Sequence, residues 1–349
     1  MLLDRVDPWL DFLHGDPLHR ILLLQIPNYL PLLYVLLAPL GLLPFSLAKA
    51  AWLVCNLGFA VGSVLLACRF FGLRAGMRLL ALGLFLMATC VRDTLGNGQQ
   101  GLLVLFIWCL SLLSPTLTRG RAAVAGLSYA KFSFAPPLAL YLYCKAGVRT
   151  ALWSGVVPAV ATVLVWLWLP GGHGLRPLLR FAWEPFQVAS AGFLLRGADT
   201  NLADVLDPLF RRAGLGLAAA DRWELLLGTV VCAAVFVFSM VRCRQSTVQY
   251  HVALLALASF LLFRHHNYDQ VVLLLPLCYA LSRFRRAEAK LVLVLLACPW
   301  YGQQLAERLH LYWRYLFVPQ FFLLVTAGVL LYRLRDSTGP AAASETSQY

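Results

Sequence analysis

The chain has 349 residues, 60% hydrophobic and only 13% charged, with a mean hydropathy of +0.74. These values exclude a soluble globular protein and imply a polytopic membrane protein. The formal charge of +13 does not imply a nucleic-acid partner, because the 29 Lys and Arg fall in short loops between apolar runs, where basic residues set membrane topology.

In chain order, residues 1–26 are polar and aromatic and carry Asp4, Asp7, Asp11 and Asp16. They lack the basic start and apolar run of a signal peptide, so insertion is expected to rely on internal spans, with this stretch an outer juxtamembrane segment. Pro27 to Phe45 is apolar but interrupted by Pro31, Pro39 and Pro44, the pattern of a bent or re-entrant segment. Spans are expected near 50–68, 78–91, 102–113 and 151–169, with a broken segment over 122–144, making residues 27–169 an N-terminal membrane bundle.

Residues 170–223 are mixed in character and read as an extramembrane loop in which 202–212 is amphipathic enough to lie on a bilayer surface. A C-terminal bundle over 224–335 has spans near 225–241, 252–263, 271–281, 291–300 and 315–331, and 336–349 reads as a disordered tail. The fold expected is an all-α polytopic transmembrane helical bundle of about ten membrane segments, some broken or re-entrant.

Orientation follows from the basic turns. With the long loop outside, Lys145, Arg149, Arg242, Arg244 and Arg283 to Lys290 fall inside. Upstream, reading 122–144 as a single span or as a helical hairpin puts Gln99 and Gln100 on opposite sides; the hairpin is preferred, with Pro27–Phe45 re-entrant.

Three polar islands interrupt this apolar background. The first is RDTLGNGQQG, Arg92 to Gly101, where Gly96 and Gly98 ease turning and Asn97, Gln99 and Gln100 offer amides to sugar hydroxyls or phosphate oxygens; a plain connecting turn is the bland alternative. The second is Lys131, far from either end of its apolar segment, with Pro136 and Pro137 expected to break the helix just beyond it. A central cation costs roughly 2.5–3.5 kcal/mol on insertion scales, so it lines a cavity or pairs with an acid; it can hold a phosphate as a point charge or serve a structural ion pair. The third is RHHNYD, where His265 and Asp269 share a face if the next helix starts early, with His266 and Tyr268 beside them. A polar interfacial cap is its alternative, and no third His at ligand spacing supports a metal. The nine cysteines lie singly and read as small core residues.

The order NYLPLLYVLLAPLGLLPFSLAKAAWLVCNLG, LGNGQQGLLVLFIWCLSLL, AGLSYAKFSFAPPLALYLY and RHHNYDQVVLLLPL, spread over residues 27–335, resembles the glycosyltransferase family 87 membrane proteins. The resemblance implies a GT-C-like architecture, a polyprenyl-phosphate sugar donor, usually mannose, and a lipid or glycan acceptor on the outer face of a bacterial plasma membrane. It implies an inverting transfer with a carboxylate as general base, for which Asp4, Asp7 and Asp11 are the candidates, and no cofactor or nucleic acid. Arg92, Asn97, Gln99, Gln100, Lys131, His265, His266, Tyr268 and Asp269 are the candidates for holding phosphate and sugar.

This chain departs from the family pattern at its start. Family members usually open with a transmembrane helix and an aspartate-bearing outer segment. Here Gly15, Asp16 and Pro17 resemble the following turn, but the first helix is missing, so a truncated or misassigned start is expected. A multi-pass transporter or lipid flippase is the rival reading, since broken helices and a buried lysine suit it equally, although no internal symmetry is evident. An inactive truncated transferase is a third.

Overall fold

The computed structural model describes residues 29–114, 116–169, 174–193, 230, 233–262, 267–309 and 317–335. Asp4, Asp7, Asp11, His265 and His266, the amphipathic 202–212 segment and the 336–349 tail lie outside the described residues.

Every regular element described is helical: α1 Pro31–Gly41, α2 Phe45–Phe70, α3 Ala75–Met87, α4 Thr89–Asn97, α5 Gly101–Leu112, α6 Arg119–Gly126, α7 Ala135–Trp168, α8 Leu175–Phe193, α9 Ala233–Arg242, α10 Val248–Leu262, α11 Leu274–Ser282, α12 Ala287–Arg308 and α13 Phe317–Arg333. Short 3-10 segments occupy Leu127–Ala130, Phe132–Phe134 and Asn267–Leu273. By length and apolarity two described helices, α2 and α7, could cross a membrane, or three if the pair α3 and α4, bent by 52°, counts as one span. The expected all-helical architecture is observed among the described residues, but about ten membrane segments are not shown, because most of the described apolar helices are shorter than a span. The expected 78–91 span is one of the bent ones, since Ala88 leaves helical geometry (φ −65°, ψ 138°) between α3 and α4.

Contacts fix the direction of each helix. α2 and α5 run side by side and parallel: Trp52 Nε1 donates to the Gly98 carbonyl at 2.9 Å, Phe59 packs on Phe106, and Cys109 Sγ lies 3.7 Å from the Ser63 carbonyl. α6 returns antiparallel to α5, because Arg121 Nη1 reaches the Leu110 carbonyl at 3.4 Å while Trp108 Nε1 donates to Ser128 Oγ at 3.1 Å.

α7 is broken at Gly147, whose φ of 80° and ψ of 174° are non-helical, and its second limb lies against α6. A Cβ at Gly126 would overlap the Ser154 carbonyl, and Tyr129 and Ser154 share a hydroxyl hydrogen bond at 2.7 Å. Glycine is required at 126 because only a residue without Cβ lets the two backbones touch. Farther along, Ala130 and Ala161 belong to one buried cluster, so α6 and the second limb of α7 ascend together. The first limb, which precedes the second in the chain, descends.

The described portion of the expected 170–223 loop is the helix α8, which packs Phe181 against Val165 and Leu169 at the end of α7. In the second half, Tyr279 ties α11 to two neighbours: its hydroxyl donates to the Leu334 carbonyl at 3.0 Å, and Phe71 meets its ring at 6.2 Å. Cys68 and Cys278, distant in sequence, are in side-chain hydrogen-bond contact at this level.

The bundle therefore has two unlike ends. One gathers the turn after α4, the 127–134 reversal and the 267–273 segment. The other gathers the turns after α2, α5, α9, α11 and α13 with the Gly147 break, which carry Arg74, Arg121, Lys145, Arg244, Arg283 and Arg335.

Candidate functional site

The 3-10 segment Asn267–Leu273 is the hub of the first end, in contact with α4, α5, α10, α11 and α12. Its neighbours are shaped to admit it. A Cβ on Gly101, the first residue of α5, would lie 3.2 Å from the Tyr268 carbonyl oxygen and 3.2 Å from Val271 Cγ2. Thr94 Oγ1 lies 3.1 Å from the Tyr268 carbonyl oxygen, and Trp300 Nε1 donates to the Gln270 carbonyl at 3.2 Å. Backbone groups in a 3-10 segment need such outside partners, because its own hydrogen bonds are poorer than those of an α-helix.

Lys131 stands between the two 3-10 segments of the reversal in extended geometry, φ −108° and ψ 97°. It is 6% exposed, and its Nζ bonds Asp269 Oδ1. The Tyr268 ring faces the same ammonium with its centroid 4.5 Å away. A buried ammonium is tolerated when a carboxylate and an aromatic face replace its lost hydration. The expected helix break beyond Lys131 takes a different form: Pro136 and Pro137 lie in the first turn of α7, where a missing N–H costs nothing, so they start a helix there.

The turn after α4 forms the third wall. Gly98 caps α4 in the left-handed region (φ 65°, ψ 28°), which places Gln99 and Gln100 against the bundle. Tyr29 OH donates to Gln99 Oε1 at 2.9 Å. Gln100 is buried, and its Oε1 has no hydrogen-bond partner among the described residues; the same is true of Nε2 of buried Gln270. Orphaned buried amide atoms of opposite polarity are costly, and an acceptor and a donor on the residues flanking Gly101 and Asp269 suit hydroxyl groups of a ligand.

Of the residues singled out from sequence, the structure gathers Gln99, Gln100, Lys131, Tyr268 and Asp269. Arg92 and Asn97 are exposed on α4 and stay outside this buried cluster. The described part of this segment is 3-10 from Asn267, a geometry that aligns i with i+3; the expected pairing of Asp269 with His265 involves a residue outside the described ones. Asp269 turns to Lys131. Sequence reasoning missed Gln270, Tyr29, Thr94 and Trp300. Gln270 had a signal, as a further polar residue at the edge of an apolar run; the others are legible only in three dimensions.

Chemically, the cluster joins a compact cation, its counter-ion, an aromatic face and two unfilled amide positions. An incoming phosphate would compete with Asp269 for Lys131, and sugar hydroxyls match the free amide atoms. A family model described as glycosyltransferase family 87 matches residues 28–276, well over half of the chain and all three walls of this cluster. No curated protein and no solved structure matches the chain.

Proposed function

Because the chain belongs to glycosyltransferase family 87, and is by that membership a membrane glycosyltransferase, we propose that it transfers a hexose, mannose in the first instance, from a polyprenyl-phosphate donor to a lipid or glycan hydroxyl. The observation that carries this reading is the convergence of Lys131, Tyr268 and Asp269 against Gly101 at the end of the bundle opposite the basic turns.

In the reaction, the acceptor oxygen attacks the anomeric carbon on the face opposite the phosphate. The bond from that carbon to the phosphate oxygen breaks, polyprenyl phosphate leaves with the electron pair, and the configuration inverts. The acceptor proton passes to a carboxylate, assigned to the N-terminal Asp4, Asp7 or Asp11. Lys131 holds the departing phosphate, releasing Asp269 as it does so. Gln99, Gln100 and Tyr268 bind the sugar, and His265 and His266 lie close enough in sequence to join them.

The test is transfer of radiolabelled mannose from polyprenyl-phosphate mannose to extracted lipid by the purified chain. Folded Lys131→Ala and His265→Ala variants are expected to lose transfer, and full activity in both ends the assignment. Uptake of the donor into proteoliposomes without any transfer would favour a flippase.

The chain is further proposed to be multi-pass, in a bacterial plasma membrane, with the polar end outward, as the basic turns require of a cytoplasmic face. A cysteine placed at Asn97 in a background lacking exposed Cys55 and Cys298 should react with an impermeant label from outside. Reaction only from the cytoplasm would overturn the orientation.

A further inference from the structure

The opposite end of the bundle holds a cleft that the transfer reaction does not use. It is lined by Phe71, Thr247, Gln249, Ser282 and Arg283 and encloses about 370 Å³. We propose that this cleft is a binding site for the phosphate of an anionic glycerophospholipid headgroup.

The chemistry of the walls argues for an anion. The Arg283 guanidinium lies over the Tyr279 ring, its Cζ 3.8 Å from the ring centroid, and Nη1 donates to Ser282 Oγ at 2.8 Å. Tyr279 is itself fully buried and anchored to the Leu334 carbonyl, so the guanidinium rests on a fixed platform. A pre-positioned planar fork matches the geometry of phosphate oxygens.

Two polar walls add to it. Thr247 and Gln249 stand at the start of α10, where Thr247 Oγ1 accepts from the Tyr250 N–H at 3.4 Å; the first N–H groups of a helix have no acceptor within it. No carboxylate is among the residues lining the cleft. Lys145 and Arg335 lie within electrostatic range of His251 and Tyr250 in the first turn of the same helix, and Arg244 within range of Lys145. The cleft thus sits in a concentrated positive field.

A lipid headgroup fits better than a free ion. The cleft opens at a helix-end level of a membrane protein, beside Phe71, and basic pockets between membrane helices recognise headgroup phosphates in this way. The acyl chains would lie along the apolar outer faces, where Phe284 and Val241 are exposed.

The experiment titrates the detergent-solubilised full chain with dioctanoyl phosphatidylglycerol, dioctanoyl phosphatidylcholine and inorganic phosphate, reading binding by native mass spectrometry. Saturable binding of the glycerol lipid is expected, with much weaker binding of the choline lipid. Arg283→Gln should weaken it about tenfold or more, and Gln249→Glu should abolish it by placing a carboxylate in the cleft at a position where a helix start favours acids. Exposed Arg285→Gln, outside the cleft, should change it less than about twofold. Equal losses in Arg283→Gln and Arg285→Gln would mean a diffuse field and no site. Unchanged binding in a folded Gln249→Glu variant would also overturn the proposal, as would inorganic phosphate binding as tightly as the lipid. Sugar transfer is not the readout, so failure here leaves the transferase reading untouched.

Discussion

The two ends of the bundle use the same ionisable side chains under opposite solvation. Lys131 is buried and carries its counter-ion, Asp269, inside with it. Arg285 and Arg286 stand exposed at a turn and Lys290 in the first turn of α12, with no such requirement. An ion removed from water must be compensated within a few ångströms, whereas an ion at a helix end keeps its hydration and interacts with lipid phosphates at long range. The number of cations in a membrane chain therefore indicates topology, and their depth indicates chemistry.

The sharpest way to break this contrast is to strand one member of the deep pair. Lys131→Met takes the buried cation away from the Asp269 carboxylate and should cost about 3–5 kcal/mol, read as a lowered unfolding midpoint in detergent. The double variant Lys131→Met/Asp269→Leu removes both charges and should recover most of that loss. Its sugar transfer then separates the two roles: a folded but inactive double variant makes the pair functional, and an active one reduces it to a structural clamp.

A smaller effect compares glycines at the two ends. Gly101→Ala forces a Cβ against the Tyr268 carbonyl and Val271 at 3.2 Å each, and should cost about 1–3 kcal/mol through overpacking while displacing Tyr268 and Asp269, with a matching loss of transfer. Gly120→Ala in α6 meets nothing within 4 Å and should be neutral or stabilising by up to about 1 kcal/mol. Equal effects would mean that the polar end is no more tightly built than the basic one.

Much of this contrast was legible in the sequence because it is a matter of spacing. Lys131 lies far from the ends of its apolar run, Arg283 to Lys290 lie between two runs, and the turns at Gly98 and Gly147 are marked by glycine. Pairing was not legible. Lys131 and Asp269 are 138 residues apart, and nothing in either local pattern names the other. The sequence paired Asp269 with His265 because i,i+4 is the nearest local rule, and no local rule reaches across the chain to Lys131. Helix lengths were likewise blurred, since the bend at Ala88 has no proline or glycine to announce it.

Gln100 sharpens the comparison at about 1 kcal/mol. Its buried Oε1 has no partner among the described residues, so Gln100→Leu removes an unsatisfied acceptor and should raise stability by about 1 kcal/mol. If the amide serves a sugar hydroxyl, the same variant loses transfer. Stability and activity then move in opposite directions, as they do where a site holds polar groups in readiness for a ligand. A variant that is both more stable and fully active would remove Gln100 from the site.

The least effect is expected at the basic end. Arg119 is exposed at the first residue of α6, just after the capping Thr118, where a cation opposes the positive end of the helix dipole. Arg119→Gln should leave the unfolding midpoint unchanged or raise it slightly, within about 0.5 kcal/mol, and leave transfer intact. Arg121→Gln should cost somewhat more, because Arg121 Nη1 also reaches the Leu110 and Ser111 carbonyls at 3.4 and 3.5 Å and so closes the end of α5. A loss above about 1 kcal/mol at Arg119 would be the size expected of a buried group, and the division of labour between depth and surface would then fail at its simplest point.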